Sequence, residues 1–436
     1  MTTKFSGPLA FGVMAMLFIA VGLLQSWNVS LSILNLCLIS AIMALGVNIQ
    51  WGYAGLFNVG VMGFAALGGL AAVLISMPPV TEAVVVGGRG IFLGLLLGAL
   101  TIGLSITLYK VLPRGWLRSI GVAVAIIIGY AVTRQVFVPA TALVEAIEPA
   151  KTGYLGGFGL PVLVAWPVGG LFAGLAAWIV GKITLGLRSD YLAIATLGIS
   201  EIIVAILKHE DWLARGVKNV NGIPRPTTVP YEIDLQQSEW FADLTTRLGA
   251  DLVTFSSIFV KLNYAVLFAA VLLIVLWLSE RALKSPWGRM MRAIRDNEIS
   301  ANAMGKDVTA RHLQVFIIGS VVVGIAGAML TTLDGQLTPS SYQPLRFTFL
   351  IWVMVIVGGS GNNWGAVLGG FVIWFFWVQA EPIGLWLMDT ITAGMPEDSG
   401  LRAHLLDSAA HMRLMTMGLI LLLVLRFSPR GVIPER

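Results

Sequence analysis

The chain alternates between long apolar runs and short polar connections, and that alternation decides most of what it can fold into. The runs fall at 8–26, 31–49, 53–75, 91–109, 119–138, 160–180, 191–207, 258–279, 313–333, 347–358, 364–378 and 412–425. A helix rises 1.5 Å per residue, so about 20 apolar residues cross a hydrocarbon layer of ~30 Å. Inside lipid every backbone N–H and C=O must be satisfied within the protein, which leaves helices as the spanning element for runs of this kind. Composition agrees: 57% of residues are hydrophobic and 12% charged, against about 25% charged in soluble domains. An ordinary soluble enzyme and a disordered chain are excluded. Cys37 is the only cysteine, so neither an internal disulfide nor a cysteine metal cluster can form. The expected fold class is all-α: a polytopic transmembrane protein of about 10–12 spans, some short and broken, in one domain over 1–436.

Charge gives the expected topology. If the chain starts in the cytoplasm and changes side at every run, the inner segments hold 16 Lys/Arg and the short outer ones hold 4. The long outer loop 208–257 holds 5 more, but long loops weigh little in the positive-inside rule. Both termini are then cytoplasmic. The first run is too long for a signal-peptide core and no small-residue cleavage site follows, so it reads as a retained span oriented by Lys4. Three connections are too long to be turns: 208–257, outer and net acidic; 280–312, inner and basic; and 379–411, outer, with Glu381, Asp389, Glu397, Asp398 and Asp407.

Glycine punctuates two spans. Gly52-Tyr53-Ala54-Gly55-Leu56-Phe57-Asn58-Val59-Gly60 opens the third run, and Gly358-Gly359-Ser360-Gly361 separates the tenth run from the eleventh. Those two runs are too short to cross as straight helices, so a pair of short helices or a re-entrant hairpin is expected there. Broken helices at membrane depth line a cavity or lie buried in protein. Asn48, Asn58, Thr196, Gly55 and Gly359 are therefore candidates for a polar translocation path, with a tight packing turn as the alternative. Small residues four apart (Gly94 and Gly98, Gly170 and Gly174, Gly361 and Gly365, Gly365 and Gly369) favour close helix contacts. Glu201 is a carboxylate inside an apolar run. A mid-span acid costs about 2.5–3.5 kcal/mol on insertion scales, so it should face protein or water. A structural hydrogen bond to a neighbouring helix, a place on the path, and a contact with a substrate ammonium all remain open.

The 280–312 connection is the most informative. Ser285 suits an N-cap with Pro286 at the first helical position, and Gly305 suits a helix stop. One helix of about five turns is expected between them, with Met290, Ile294, Ala301 and Met304 as an apolar stripe. It can dock a partner or lie on lipid headgroups. His209, His312, His404 and His411 have no metal spacing, and no catalytic arrangement of Ser, Cys and His is visible. Gly181-Lys182-Ile183-Thr184 lacks the spacing of a phosphate loop.

Four segments together carry a family resemblance: Pro286-Trp287-Gly288-Arg289 with Arg292-Ala293-Ile294-Arg295-Asp296-Asn297-Glu298; Leu187-Arg188-Ser189-Asp190-Tyr191-Leu192 through Glu201-Ile202; Val355-Ile356-Val357-Gly358-Gly359-Ser360-Gly361 with Trp364-Gly365; and Arg426-Phe427-Ser428-Pro429-Arg430-Gly431. From about residue 31 onward the chain resembles the M-type permeases of the branched-chain amino acid ABC importers. The segment 215–224 is shorter than that family's pattern, and the run at 119–138 is unusual for it. The resemblance implies a bacterial inner-membrane permease, not itself an enzyme, for branched-chain or other hydrophobic amino acids. It implies a second homologous permease, two cytoplasmic ATPases that bind ATP and Mg, and a periplasmic binding protein, with no cofactor in this chain and no nucleic acid. It also places Arg289, Arg292, Arg295, Asp296, Glu298, Asn302 and Gly305 at the ATPase contact. Related permeases make urea or short amides an alternative cargo. An ion-coupled secondary transporter is an alternative of another class.

Overall fold

A computed structural model describes residues 7–149, 151–396 and 399–435. Lys4, Glu397 and Asp398 lie outside the described residues. Helices α1 (Gly7–Leu24), α2 (Trp27–Ala54) and α3 (Val61–Ser76) come first. α4 (Thr81–Ala83), a π-helical turn (Val84–Gly88) and α5 (Arg89–Val111) then form one helical stretch, and α6 (Trp116–Glu145), α7 (Val162–Thr184) and α8 (Ser189–His209) follow. A connection holds α9 (Asp211–Ala214), strand β1 (Val220–Asn221), α10 (Glu232–Gln237) and α11 (Glu239–Leu248). Next come α12 (Leu252–Lys284), α13 (Pro286–Asp296), α14 (Glu298–Ala303), α15 (Val308–Asp334) and strand β2 (Gln336–Leu337). The chain continues with α16 (Pro344–Gly358), α17 (Asn363–Thr392), α18 (Gly400–Ser408) and α19 (Met412–Phe427). Each apolar run contributes to a helix, the third being interrupted at 55–60. Among the described residues nine helices are long and apolar enough to cross a membrane, α18 with α19 forms a bent candidate, and α3 and α16 are shorter apolar helices.

The core is built around α2, which is buried over most of its length. α15 packs on α2, α3 and α7, and α17 packs on α2 and α16. Glycines permit the closest of these approaches. A methyl group at Gly170 would meet Ile325 Cγ1 at 2.9 Å, and one at Gly174 would meet Val321 at 2.8 Å. A methyl at Gly369 would overlap the Met354 carbonyl. The four-residue glycine spacings thus join helices of this one chain. By contrast, α5 and α6 pack on each other, and only Ala140, Thr141 and Val144 of α6 are buried. That hairpin presents its apolar surface outward, as a lipid-facing element would.

The bundle has two distinct ends. At one, Gly7 lies against Ile433, and Arg295 meets both Gly52 and Glu435. At the other, β1 pairs antiparallel with β2, Val220 opposite Leu337 and Asn221 opposite Gln336. Gly222 and Ile223 there both donate to the Gly335 carbonyl at 3.0 Å.

Three expectations change. The second span continues to Ala54, five residues past the expected end, because Asn48 and Gln50 find polar partners inside the bundle. The eleventh run is not short: α17 runs 30 residues, through Gln379, Glu381 and Pro382. Its polar groups are matched, Gln379 by Gln25 at 2.9 Å and Glu381 by Arg413. The single five-turn helix after Ser285 is two helices broken at Asn297, whose side chain accepts from the Ser300 N–H and so starts α14 afresh.

Candidate functional site: the 286–305 segment and the broken helix above it

α13 starts as its sequence dictates. Ser285 Oγ accepts from the Gly288 N–H at 3.3 Å, with Pro286 at the first turn. Met291 and Ile294 are buried and seat α13 against the bundle. The break at Asn297 ends α13 and starts α14. Met290, Ile294 and Ala301 of the expected stripe pack on the core, whereas Met304 is 79% exposed and falls outside it. Ile299, at 83% exposure, is the outward apolar residue the sequence reading missed. Gly305 ends the segment at φ +75°, a backbone that side chains disfavour.

The charged residues divide into two groups. Asp296, Glu298 and Asn302 are exposed, and Arg289, also exposed, only ties back to the Lys284 carbonyl at 3.2 Å. Arg292 borders a groove of about 800 Å³ shared with Glu280, Trp364 and Glu435. Arg295 points inward. Its guanidinium donates to the Gly52 carbonyl and pairs with Glu435 at 2.9 Å, while Nε reaches Asp296 at 3.2 Å. Burial works against the Arg295 charge, yet the hydrogen bond and attraction of Glu435 outweigh it and hold the guanidinium above its usual range. One residue thus joins α13, the end of α2 and the C-terminal tail.

Directly above Gly52 the chain leaves the helix. Gly55 takes φ +69° and closes α2, and residues 55–60 run without helical structure before α3. Asn48, Asn58 and Thr196 are all buried here. Asn48 donates to Asn363 Oδ1 at 3.1 Å and accepts from the Gly361 N–H at 2.8 Å. Asn58 donates to Gln50 at 2.9 Å and accepts from the Gly60 N–H at 2.8 Å. Thr196 Oγ1 accepts from the Val59 N–H at 3.1 Å. These groups satisfy the backbone freed by the break, as buried polar groups must, and in this conformation they line no open path. Gly359, at φ +118°, packs against the Ile433 carbonyl in the other break.

Two further groups meet at this junction, of which the sequence placed Asn363 in the second break and missed the aromatic cluster. Asn363 accepts from Tyr53 at 2.5 Å as well as from Asn48, and donates to Glu280 at 3.0 Å. Trp51, Phe57 and Trp352 form an edge-to-face cluster with centroids 4.7–5.7 Å apart, and the Trp352 indole donates to the Asn58 carbonyl at 2.9 Å. The signal left unused was Gln50, an amide just past the end of an apolar run.

Glu201 is placed differently from the other candidates. It is exposed and has no hydrogen bond or ion pair among the described residues, so the expected structural bond to a neighbouring helix is absent. α8 packs on α3, α7 and α16 through its other side. Tyr191, Ile194, Gly198, Glu201 and Ala205, three and four residues apart, make one exposed stripe.

The family described as the branched-chain amino acid transport system / permease component matches residues 29–425. The probable branched-chain amino acid transport permease protein LivM of Methanocaldococcus jannaschii is 30% identical over 173 residues, 40% of this chain and 46% of its own length. The high-affinity branched-chain amino acid transport system permease protein LivM of Escherichia coli is 27% identical over 225 residues, 50% of each chain. The probable permease LivH of M. jannaschii is 29% identical over 103 residues, 24% of this chain and 32% of its own. The matches to the two LivM proteins span about half of those relatives' length. No solved structure matches. With nearly the whole bundle inside the family match, the chain belongs to the permease component family of the branched-chain amino acid transport systems.

Proposed function

We propose that the chain is the permease subunit of an ATP-driven importer for branched-chain or other hydrophobic amino acids. A second homologous permease completes the membrane unit, as the likeness to both LivM and LivH proteins favours. Two ATPases bind ATP and Mg on the cytoplasmic side, and a periplasmic protein delivers the solute. The Arg295 end of the bundle faces the cytoplasm, which puts both termini there and agrees with the Lys/Arg distribution. The membrane is the bacterial inner membrane.

The observation that carries this reading is the Arg295 link. A conformational change is driven only by a difference in binding free energy between two states. ATPase subunits gripping α13 and α14 through Arg289, Arg292, Asp296, Glu298, Asn302 and the Gly305 turn can move the segment. Arg295 hands that movement to Gly52, at the foot of the broken helix, and to Glu435. The test is the reconstituted complex of both permeases and both ATPases. Arg295→Ala, or the paired reversals Arg292→Glu and Glu298→Arg, should leave ATP hydrolysis within a few-fold while uptake falls tenfold or more. Unchanged coupled uptake overturns the assignment, and so does solute accumulation by the purified chain driven by an ion gradient alone.

A further inference from the structure

At the β-ribbon end a cavity of about 290 Å³ lies between α2, α15, α16 and α17. At a bulk share of ~30 Å³ per water, that is the room of roughly ten waters, more than enough to admit a molecule of leucine's size. Its walls are apolar: Ile39 and Met43 from α2, Leu350, Ile351 and Met354 from α16, with Met62 of α3 among them. Polar side chains interrupt them at Ser40, Gln336, Ser341 and Tyr342, the last bonded to Thr331, and at three groups that lack a partner. Asp334 is exposed and carries no ion pair or hydrogen bond among the described residues. Thr338 Oγ1 and Trp374 Nε1 belong to lining side chains and are buried without a partner. The loop that carries Thr338 is pinned from outside, since β2 is held by β1 and Gly335 accepts two N–H groups from 222–223.

Each feature matches one part of a single kind of molecule. An exposed carboxylate at the mouth of an apolar cavity, with no counter-ion of its own, attracts a ligand cation. A buried indole N–H and a buried hydroxyl without partners lack an acceptor, which a ligand carboxylate provides. Apolar walls take a branched aliphatic group. A lipid acyl chain would suit the walls alone and leave the buried Thr338 and Trp374 groups unmet. We propose that this cavity is a binding site for an aliphatic α-amino acid, its ammonium at Asp334, its carboxylate toward Thr338 and Trp374, and its side chain among Ile39, Met43 and Ile351. The proposal takes its cargo from the import reading, whereas the cation and aliphatic preferences rest on the cavity. The site is also placed to serve transport. Met62 follows the broken segment by two residues, and Met354 lies half a turn from Trp352 in the aromatic cluster.

The test uses the purified full chain in lipid nanodiscs and isothermal titration. L-leucine should bind. 3-Methylbutylamine, which lacks the carboxylate, should bind more weakly, and 4-methylpentanoate, which lacks the ammonium, should not bind measurably. Asp334→Asn should weaken leucine tenfold or more, and Ile351→Trp, which fills the cavity, should abolish binding without loss of the folded chain. The proposal is overturned if leucine fails to bind, if 4-methylpentanoate binds as well as the amine, or if both variants bind like wild type. The ligand arms need no variant, so a misfolded Asp334→Asn does not rescue or defeat it. ATP-driven leucine uptake by the complex is scored separately. Uptake with no binding at this cavity defeats the site and leaves the importer reading standing. Binding without any uptake does the reverse.

Discussion

Glu201 shows how differently two carboxylates can be treated by one bundle. Glu381 also sits in an apolar helix, but Arg413 reaches it from the start of α19. Glu201 has no such partner, and its stripe from Tyr191 to Ala205 is exposed along α8. Facing lipid it would meet the full cost of a mid-span acid. Facing a second permease or an aqueous path it would not. Glu201→Leu should therefore change the stability of the isolated chain by no more than about 0.5 kcal/mol, the usual range for a surface substitution without partners. Co-purification with the second permease, or transport by the complex, should fall several-fold. Thermal unfolding in detergent and a pull-down of the partner permease measure the two effects. A large stability loss with assembly and transport intact would show that Glu201 serves its own chain.

At the scale of elements, the helices were legible because apolar runs are long and lipid allows few alternatives. Their ends were not. α2 and α17 run past the last apolar residues because Asn48, Gln50, Gln379 and Glu381 are each matched across the bundle, and such matches join residues far apart in sequence. The 286–305 segment shows the same limit locally. Ser285, Pro286 and Gly305 mark its start and stop in the sequence. Asn297 is a favoured N-cap residue, but the flanking helical pattern carries the single-helix reading past it. That cap turns Ile299 and Met304 outward, 83% and 79% exposed. Of the candidate site, the charged residues of this segment were readable, whereas the inward turn of Arg295 toward Glu435 was not. Asn297→Ala should loosen α14 by about 1 kcal/mol, the usual worth of an N-cap, seen as faster amide exchange over 298–303 with the spans unchanged. Ile299→Glu should leave that exchange alone and reduce ATP-coupled uptake at least tenfold. Equal exchange in wild type and Asn297→Ala would mean the break is held by something other than its cap.

Across the whole molecule three features lie in order along α2. The apolar cavity reaches Ile39 and Met43, the amides Asn48 and Gln50 hold the broken segment, and Gly52 receives Arg295. From Ile39 to Gly52 a helix rises about 20 Å at 1.5 Å per residue. Between cavity and coupling segment stand Trp51, Phe57 and Trp352. If the proposed cavity empties toward the Arg295 end, a solute would have to part these rings, and each edge-to-face contact is worth about 0.5–1.5 kcal/mol beyond burial. Phe57 is the member to remove. It is half-buried, its side chain makes no hydrogen bond, and it sits on the non-helical segment rather than on a packed helix. Phe57→Ala should cost the bundle little stability, because the Trp352–Asn58 bond remains. It should raise ATP-independent leucine efflux from proteoliposomes holding the complex, while ATP hydrolysis persists and net accumulation falls. The cluster closes the route only if efflux rises while the folded chain survives. Efflux at the wild-type rate in a stable Phe57→Ala complex would place the barrier somewhere other than this cluster.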